Sequence, residues 1–156
     1  MNKLYQAGDL EVLHKNPVWR NKANFIIVAY LGNKDGHNEW EQLWALQLGE
    51  KHFSICCIPF FSYNIALGDE VETDKNYIIQ RVLRKSGQYT FRVWFGNTNY
   101  AGIIDEVLLK FENLSVELEW SSDNLLAISV SSDKVQDVAE YLYTRHSAGD
   151  LIYEMG

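Results

Sequence analysis

The strongest early pattern is the unbroken apolar run Phe25-Ile26-Ile27-Val28-Ala29-Tyr30. It is bounded by Asn24 and by the turn signal Gly32-Asn33-Lys34-Asp35-Gly36, and it predicts a strand. Between Trp40 and Leu48, the alternation of Trp44, Leu46 and Leu48 predicts a half-buried strand. Gly49-Glu50-Lys51 marks a tight turn, and Phe53 to Ile58 reads as a short strand stopped at Pro59, whose nitrogen has no hydrogen to donate. Leu67 to Glu72 reads as a turn entering a further strand, and Tyr77 to Leu83 as another, closed by Ser86-Gly87. Residues 1–22 are polar with scattered apolar positions and predict a loose or partly helical leader.

The second half has a different rhythm. Tyr89, Phe91, Val93 and Phe95 alternate with Gln88, Thr90, Arg92 and Trp94 as a strand would, and Gly96 to Gly102 makes a break. Ile104, Val107, Leu108 and Phe111 recur at three to four residues, the face of an amphipathic helix. Leu114 to Trp120 alternates again, Ser121 to Asn124 forms a hairpin turn, and Leu126, Ile128 and Val130 return. Val135, Val138, Ala139 and Leu142 define a second helix, with Asp133 and Gln136 spaced as a capping box, or Ser131 or Ser132 as the cap. Leu151 to Tyr153 closes the series as a strand.

These elements predict an α+β protein. Residues 23–87 form a small curled antiparallel sheet or partly open barrel. Residues 88–156 follow the order β-α-β-β-α-β, the pattern of a ferredoxin-like unit. With no low-complexity linker between them, the two parts are expected to pack directly.

Charge changes this picture. Residues 1–104 carry 10 acidic and 11 basic side chains, whereas residues 105–156 carry 11 acidic and 3 basic. A field of one sign over one lobe steers partners of the opposite sign and disfavours nucleic acid or an anionic membrane. The N-terminus lacks an apolar signal region, and the apolar runs are too short to span a bilayer, so a cytoplasmic protein is expected. The cysteines, Cys56 and Cys57, are adjacent. At least one is expected to be a small buried hydrophobe in a reducing compartment. HExxH, GxSxG, Walker A and GxGxxG patterns are absent from the sequence, and no cofactor is implied.

Four segments carry a resemblance when read in order: Glu41-Gln42-Leu43-Trp44-Ala45, Ile58-Pro59-Phe60-Phe61, Ala66-Leu67-Gly68-Asp69-Glu70-Val71 and Arg84 to Val93. Together they resemble a family of small bacterial proteins classed as a domain of unknown function (4265-like), over most of residues 25–154. The resemblance implies a fold and no particular reaction. In size and charge the chain is also similar to immunity proteins of bacterial toxin systems.

Several candidate sites follow. Asp105, Glu112, Glu117, Glu119 and Asp123 form an acidic set. Glu117 and Glu119 share one side of their strand and, if exposed, would meet Arg and Lys of a basic partner. The same face could instead dock on the first half and be hidden. Arg81, Arg84, Lys85 and Arg92 form a basic cluster that could bind an anion or pair internally. Phe60, Phe61 and Tyr63 either form an aromatic interface or seal the joint between halves. His37, Glu39 and Glu41 share a strand side, but with no evident fourth ligand they read as a surface loop rather than a metal site. His14, His52 and His146 stand alone. The chain is therefore expected to be a non-enzymatic acidic binding protein, most concretely an immunity protein that occludes a basic toxin such as a nuclease. The alternatives are a ligand-binding protein or enzyme with an anion-binding cleft between the halves, and a protein acting through homodimerisation.

Overall fold

The structure, a computed structural model, describes residues 6–97 and 101–156. Among these residues, ten strands form two sheets, and there are two helices. The first sheet contains β1 (Leu10–Val12), β2 (Phe25–Lys34), β3 (His37–Gly49), β4 (His52–Ile55), β5 (Glu70–Thr73) and β6 (Ile79–Arg84). The second contains β7 (Gln88–Trp94), β8 (Glu117–Trp120), β9 (Leu125–Ser131) and β10 (Ile152–Met155), with α1 (Ala101–Asn113) and α2 (Val135–Ser147) in its two crossovers.

Strand β3 organises the first sheet. Its longest antiparallel partner is β2, which pairs with residues 37–45, while parallel β1 and antiparallel β4 take successive parts of the other edge. Alternation sends Ile27, Ala29, Leu43, Ala45, Phe53, Ile55 and Val71 to one inner side, where Phe25, Tyr77 and Val82 pack against them. Val28 N–H donates to the Tyr77 carbonyl at 2.9 Å, and Val28 bridges Ile78, bringing the entrance of β6 back to β2.

The second sheet has the order β10-β7-β9-β8, with every neighbouring pair antiparallel. Phe91, Val93, Leu126, Ile128 and Val130 face the helices and pack with Val107, Phe111, Val138 and Leu142. The opposite face carries Thr90, Arg92, Ala127, Ser129 and Glu119, all buried. It packs on the first half, where Ala127 joins Ile58, Phe60, Leu67, Val12, Val18 and Trp19.

The leader is neither loose nor helical over its described part. Leu10–Val12 is a strand, and Trp19 N–H donates to the Cys56 carbonyl at 3.1 Å. Three residues are too few to produce a readable periodicity, so pairing with β3 fixes this segment. The capping box is also absent: Lys134 is the N-cap of α2 without a side-chain cap bond, and Ser131 Oγ contacts the Asp133 carboxylate instead. The break from Gly96 to Gly102 falls partly on residues 98–100, outside the described residues, and α1 already begins at Ala101.

The turn before β5 shows how local chemistry sets the joint. Asp69 is fully buried and accepts from Ala66 N–H at 2.9 Å and Ser86 N–H at 2.8 Å. Gly68 has φ +83°, and a Cβ there would lie 3.0 Å from Ser86 Cβ and 3.3 Å from the Trp19 ring. Gly68→Ala combines left-handed backbone with overpacking, so equilibrium urea unfolding should show a loss of about 1–3 kcal/mol. An unchanged midpoint would mean that the turn relaxes freely.

Candidate functional site

Glu41 lies on β3 between Trp40 and Gln42 and has no solvent exposure. Oε1 accepts from Phe61 N–H at 3.1 Å, Ser62 N–H at 3.0 Å and Ser62 Oγ at 2.7 Å. Oε2 accepts from Phe60 N–H at 2.7 Å and lies 2.7 Å from His14 Nε2. Glu119 comes from the other sheet. Its Oε1 lies 2.8 Å from His14 Nδ1, and its Oε2 accepts from Ile58 N–H at 2.6 Å and Val18 N–H at 3.3 Å. His14 therefore joins a carboxylate from each half, with its ring stacked on Phe60 at 4.0 Å between centroids.

The geometry fixes the charge on His14. A neutral imidazole has one N–H, and its bare nitrogen would then face a carboxylate lone pair; only imidazolium donates on both sides. Burial by itself would push the His14 pKa down. Interaction with the neighbouring Cys57 sulfur and the hydrogen bonds to Glu119 and Glu41 outweigh it and raise the value to about 12. For Glu41, burial pushes the pKa up, but His14, the Phe60 N–H and the Ser62 hydroxyl bring it below the ordinary carboxylate value. Burial also raises the pKa of the Cys57 thiol, which keeps it neutral and un-nucleophilic.

Arg92 completes the joint. Its Nη1 donates to the Gly156 carbonyl at 3.0 Å, and its Nη2 donates to Ser62 at 2.7 Å and Pro59 at 3.3 Å. Burial lowers its pKa. Two cations and two carboxylates thus converge on the loop 56–62, which would otherwise bury unpaired backbone groups. His14 and the two carboxylates are almost wholly enclosed, so no solute reaches them without parting the two halves.

The sequence-based candidates separate on this frame. Asp105, Glu112, Glu117 and Asp123 are exposed, but Glu119 is 3% exposed and committed to His14, Ile58 and Val18. Its role as a partner contact is corrected: its strand face docks on the first half. The basic cluster also divides. Arg81 pairs with Glu72, Arg84 with Glu70 and Lys85 with Asp69, all carboxylates of the first half, while Arg92 is buried at the joint. Among the aromatics, Phe60 seals the joint, whereas Phe61 and Tyr63 remain exposed. His37 is exposed, Glu39 is half-buried and Glu41 is buried, so Glu41 is not part of a surface loop. No group of three or more His, Cys, Asp or Glu side chains among the described residues is placed to hold a metal ion. No helix among the described residues is long and apolar enough to cross a membrane.

Sequence reading missed His14 as the link. The only local signal was a carboxylate next to a tryptophan in each strand: Glu41 between Trp40 and Gln42, and Glu119 between Leu118 and Trp120. Buried charges require partners, but no local pattern names which cation supplies them.

Comparison with known proteins fits this architecture. A solved structure described as a hypothetical protein from Neisseria gonorrhoeae superposes with a TM-score of 0.69 at 21% identity, covering 83% of this chain and 91% of that one. Likeness at this identity shows the fold alone. No curated protein matches the chain. Residues 41–153, which include both carboxylates of the buried joint, match the family Domain of unknown function (DUF4265), and the chain belongs to that family.

Proposed function

We propose that the protein is a non-enzymatic acidic binding module whose C-terminal half engages a basic protein partner. One observation carries this reading. Asp105, Glu112, Glu117 and Asp123 are exposed, and none forms an ion pair among the described residues. Asp105 and Glu112 are seven residues apart on α1, so they share a face of that helix. Leu109 lies between them and is also exposed, offering an apolar anchor within a carboxylate field. The enclosed His14 joint supports a scaffold role for the strongest ionisable cluster. A basic bacterial toxin, such as a nuclease that must present positive charge to phosphate, is a partner of suitable chemistry.

The strand order and the β-α-β-β-α-β sequence support a ferredoxin-like reading of residues 88–156. The Val28–Ile78 bridge supports a partly open barrel for the first half.

The test uses the full chain as bait in a lysate of its own cells, beside the double variant D105K/E112K. The native bait should retain a basic protein at low ionic strength, release it as salt rises, and lose it on double charge reversal. Capture that is insensitive to both salt and the double variant would sink the reading.

A further inference from the structure

The first half leaves a seam unclosed between β2 and β6. Val28 N–H donates to the Tyr77 carbonyl, and Val28–Ile78 is an isolated parallel bridge. Backbone groups of a strand face the same edge at every second residue. The next rung of a parallel ladder would therefore run from Tyr30 N–H to the Ile79 carbonyl. That rung is not formed: the ladder ends at Val28, and beyond it β2 pairs only with β3 among the described residues. A bulge between Tyr30 and Gly32 interrupts β2 at the same place, and bulges bend the strand that carries them.

A cavity of about 740 Å³ opens where the two strands part. Tyr30 and Leu31 of β2 line it, as do Ile79 and Gln80 of β6, with Phe61 and Tyr63 from the loop after Pro59. Tyr30, Phe61 and Tyr63 are all exposed, so three aromatic side chains gather around one opening. The Tyr30 ring is braced edge-on against Trp40 at 4.9 Å between centroids, and its hydroxyl donates to Asn38 Oδ1 at 3.1 Å. No charged side chain is among the lining residues. The cavity thus combines an unfinished strand edge, aromatic walls and no charge.

We propose that this seam takes an extended, uncharged peptide segment of another protein, laid along β2 as an added strand with one large apolar side chain in the cavity. A peptide backbone carries the partners that both edges lack. One of its carbonyls accepts from Tyr30 N–H, and one of its N–H groups donates to the Ile79 carbonyl. A small apolar solute would leave both backbone groups without a partner. Charge selects the side chain. A Lys or Asp would give up water with no counter-charge in the walls, whereas an aromatic or aliphatic side chain is covered by Tyr30, Phe61 and Tyr63. The site lies in the first half and shares no residue with the face of Asp105 and Glu112, so its success or failure leaves the basic-partner reading untouched.

Proton–nitrogen correlation spectra of the full chain test it, with the capped pentapeptide acetyl-Ser-Val-Phe-Val-Ser-amide as the probe. The Tyr30 amide signal should shift and saturate below about 10 mM peptide, and its hydrogen exchange should slow. The same peptide N-methylated at phenylalanine and the following valine keeps its side chains but loses two donors, and should bind about fivefold more weakly. Lysine in place of phenylalanine should weaken binding at least about tenfold. Tyr30→Ala and Phe61→Ala should each weaken the native probe several-fold. Both side chains are exposed, so one variant serves if the other unfolds. No saturable shift at Tyr30 would overturn the proposal. So would equal binding of the N-methylated peptide, which would leave a side-chain pocket without strand addition, or equal binding of the lysine peptide.

Discussion

His14→Ala is expected to leave the protein largely unfolded at neutral pH. The variant strands Glu41 and Glu119 in the joint without the imidazolium that both now face. Removing one member of a buried ion pair costs about 3–5 kcal/mol, chiefly because the remaining charge stays desolvated. Two carboxylates remain here, and the stacking of His14 on Phe60 disappears as well. Against a typical total stability of about 5–15 kcal/mol, a loss of that size dominates. Far-UV circular dichroism with guanidinium titration measures it. Glu119→Gln should be milder, since an amide keeps one acceptor for Ile58 N–H and removes one of the two charges. A His14→Ala protein with a near-native midpoint would show that the joint opens to water and rehydrates its carboxylates.

Stability should also decline as pH rises above about 6.5, an unusual direction for a protein this acidic. The folded pKa of His14 is raised to about 12 from 6.5. Its contribution is fully present below 6.5 and is lost progressively as pH rises towards the folded value, because the unfolded chain releases the proton first. One proton gives a slope of up to about 1.4 kcal/mol per pH unit, hence roughly 3 kcal/mol between pH 6.5 and 9. Glu41 acts oppositely. Its folded pKa lies below 4.5, so its contribution is present above that value and fades as pH falls through the folded pKa. Stability should therefore be greatest between about pH 4.5 and 6.5. Above pH 9 the buried thiols add a decline of the same sign, since the Cys56 pKa is pushed up to about 11 and that of Cys57 is also raised. Urea unfolding at intervals between pH 4 and 9 checks the profile. A flat free energy from 6.5 to 9 would contradict a charged His14.

Much of the fold was legible because the signals are local. The run Phe25–Tyr30, the alternation through Phe91 and Val93, and the three-to-four spacing through Val107 and Phe111 each depend on neighbours within one element. The β8–β9 hairpin and both helices of the second half were visible in the same way. β1 was not, because three residues paired with a distant strand carry no periodicity of their own. Little of the joint was legible. Glu119 beside Glu117 looks like half of an exposed acidic pair until the first half covers its face, and Arg92 looks like one more cation of a basic cluster.

The succession of strands and helices after β1, the faces that must be apolar and the excess of carboxylates in the last third follow from the amino-acid sequence alone, because each arises from residues close together along the chain. Which charges are enclosed was decided only by tertiary structure. His14 meets Glu41 across 27 residues and Glu119 across 105, and only the packing of one sheet on the other brings the three into contact. Desolvation in that contact turns three ordinary surface-type residues into the polar lock of the molecule.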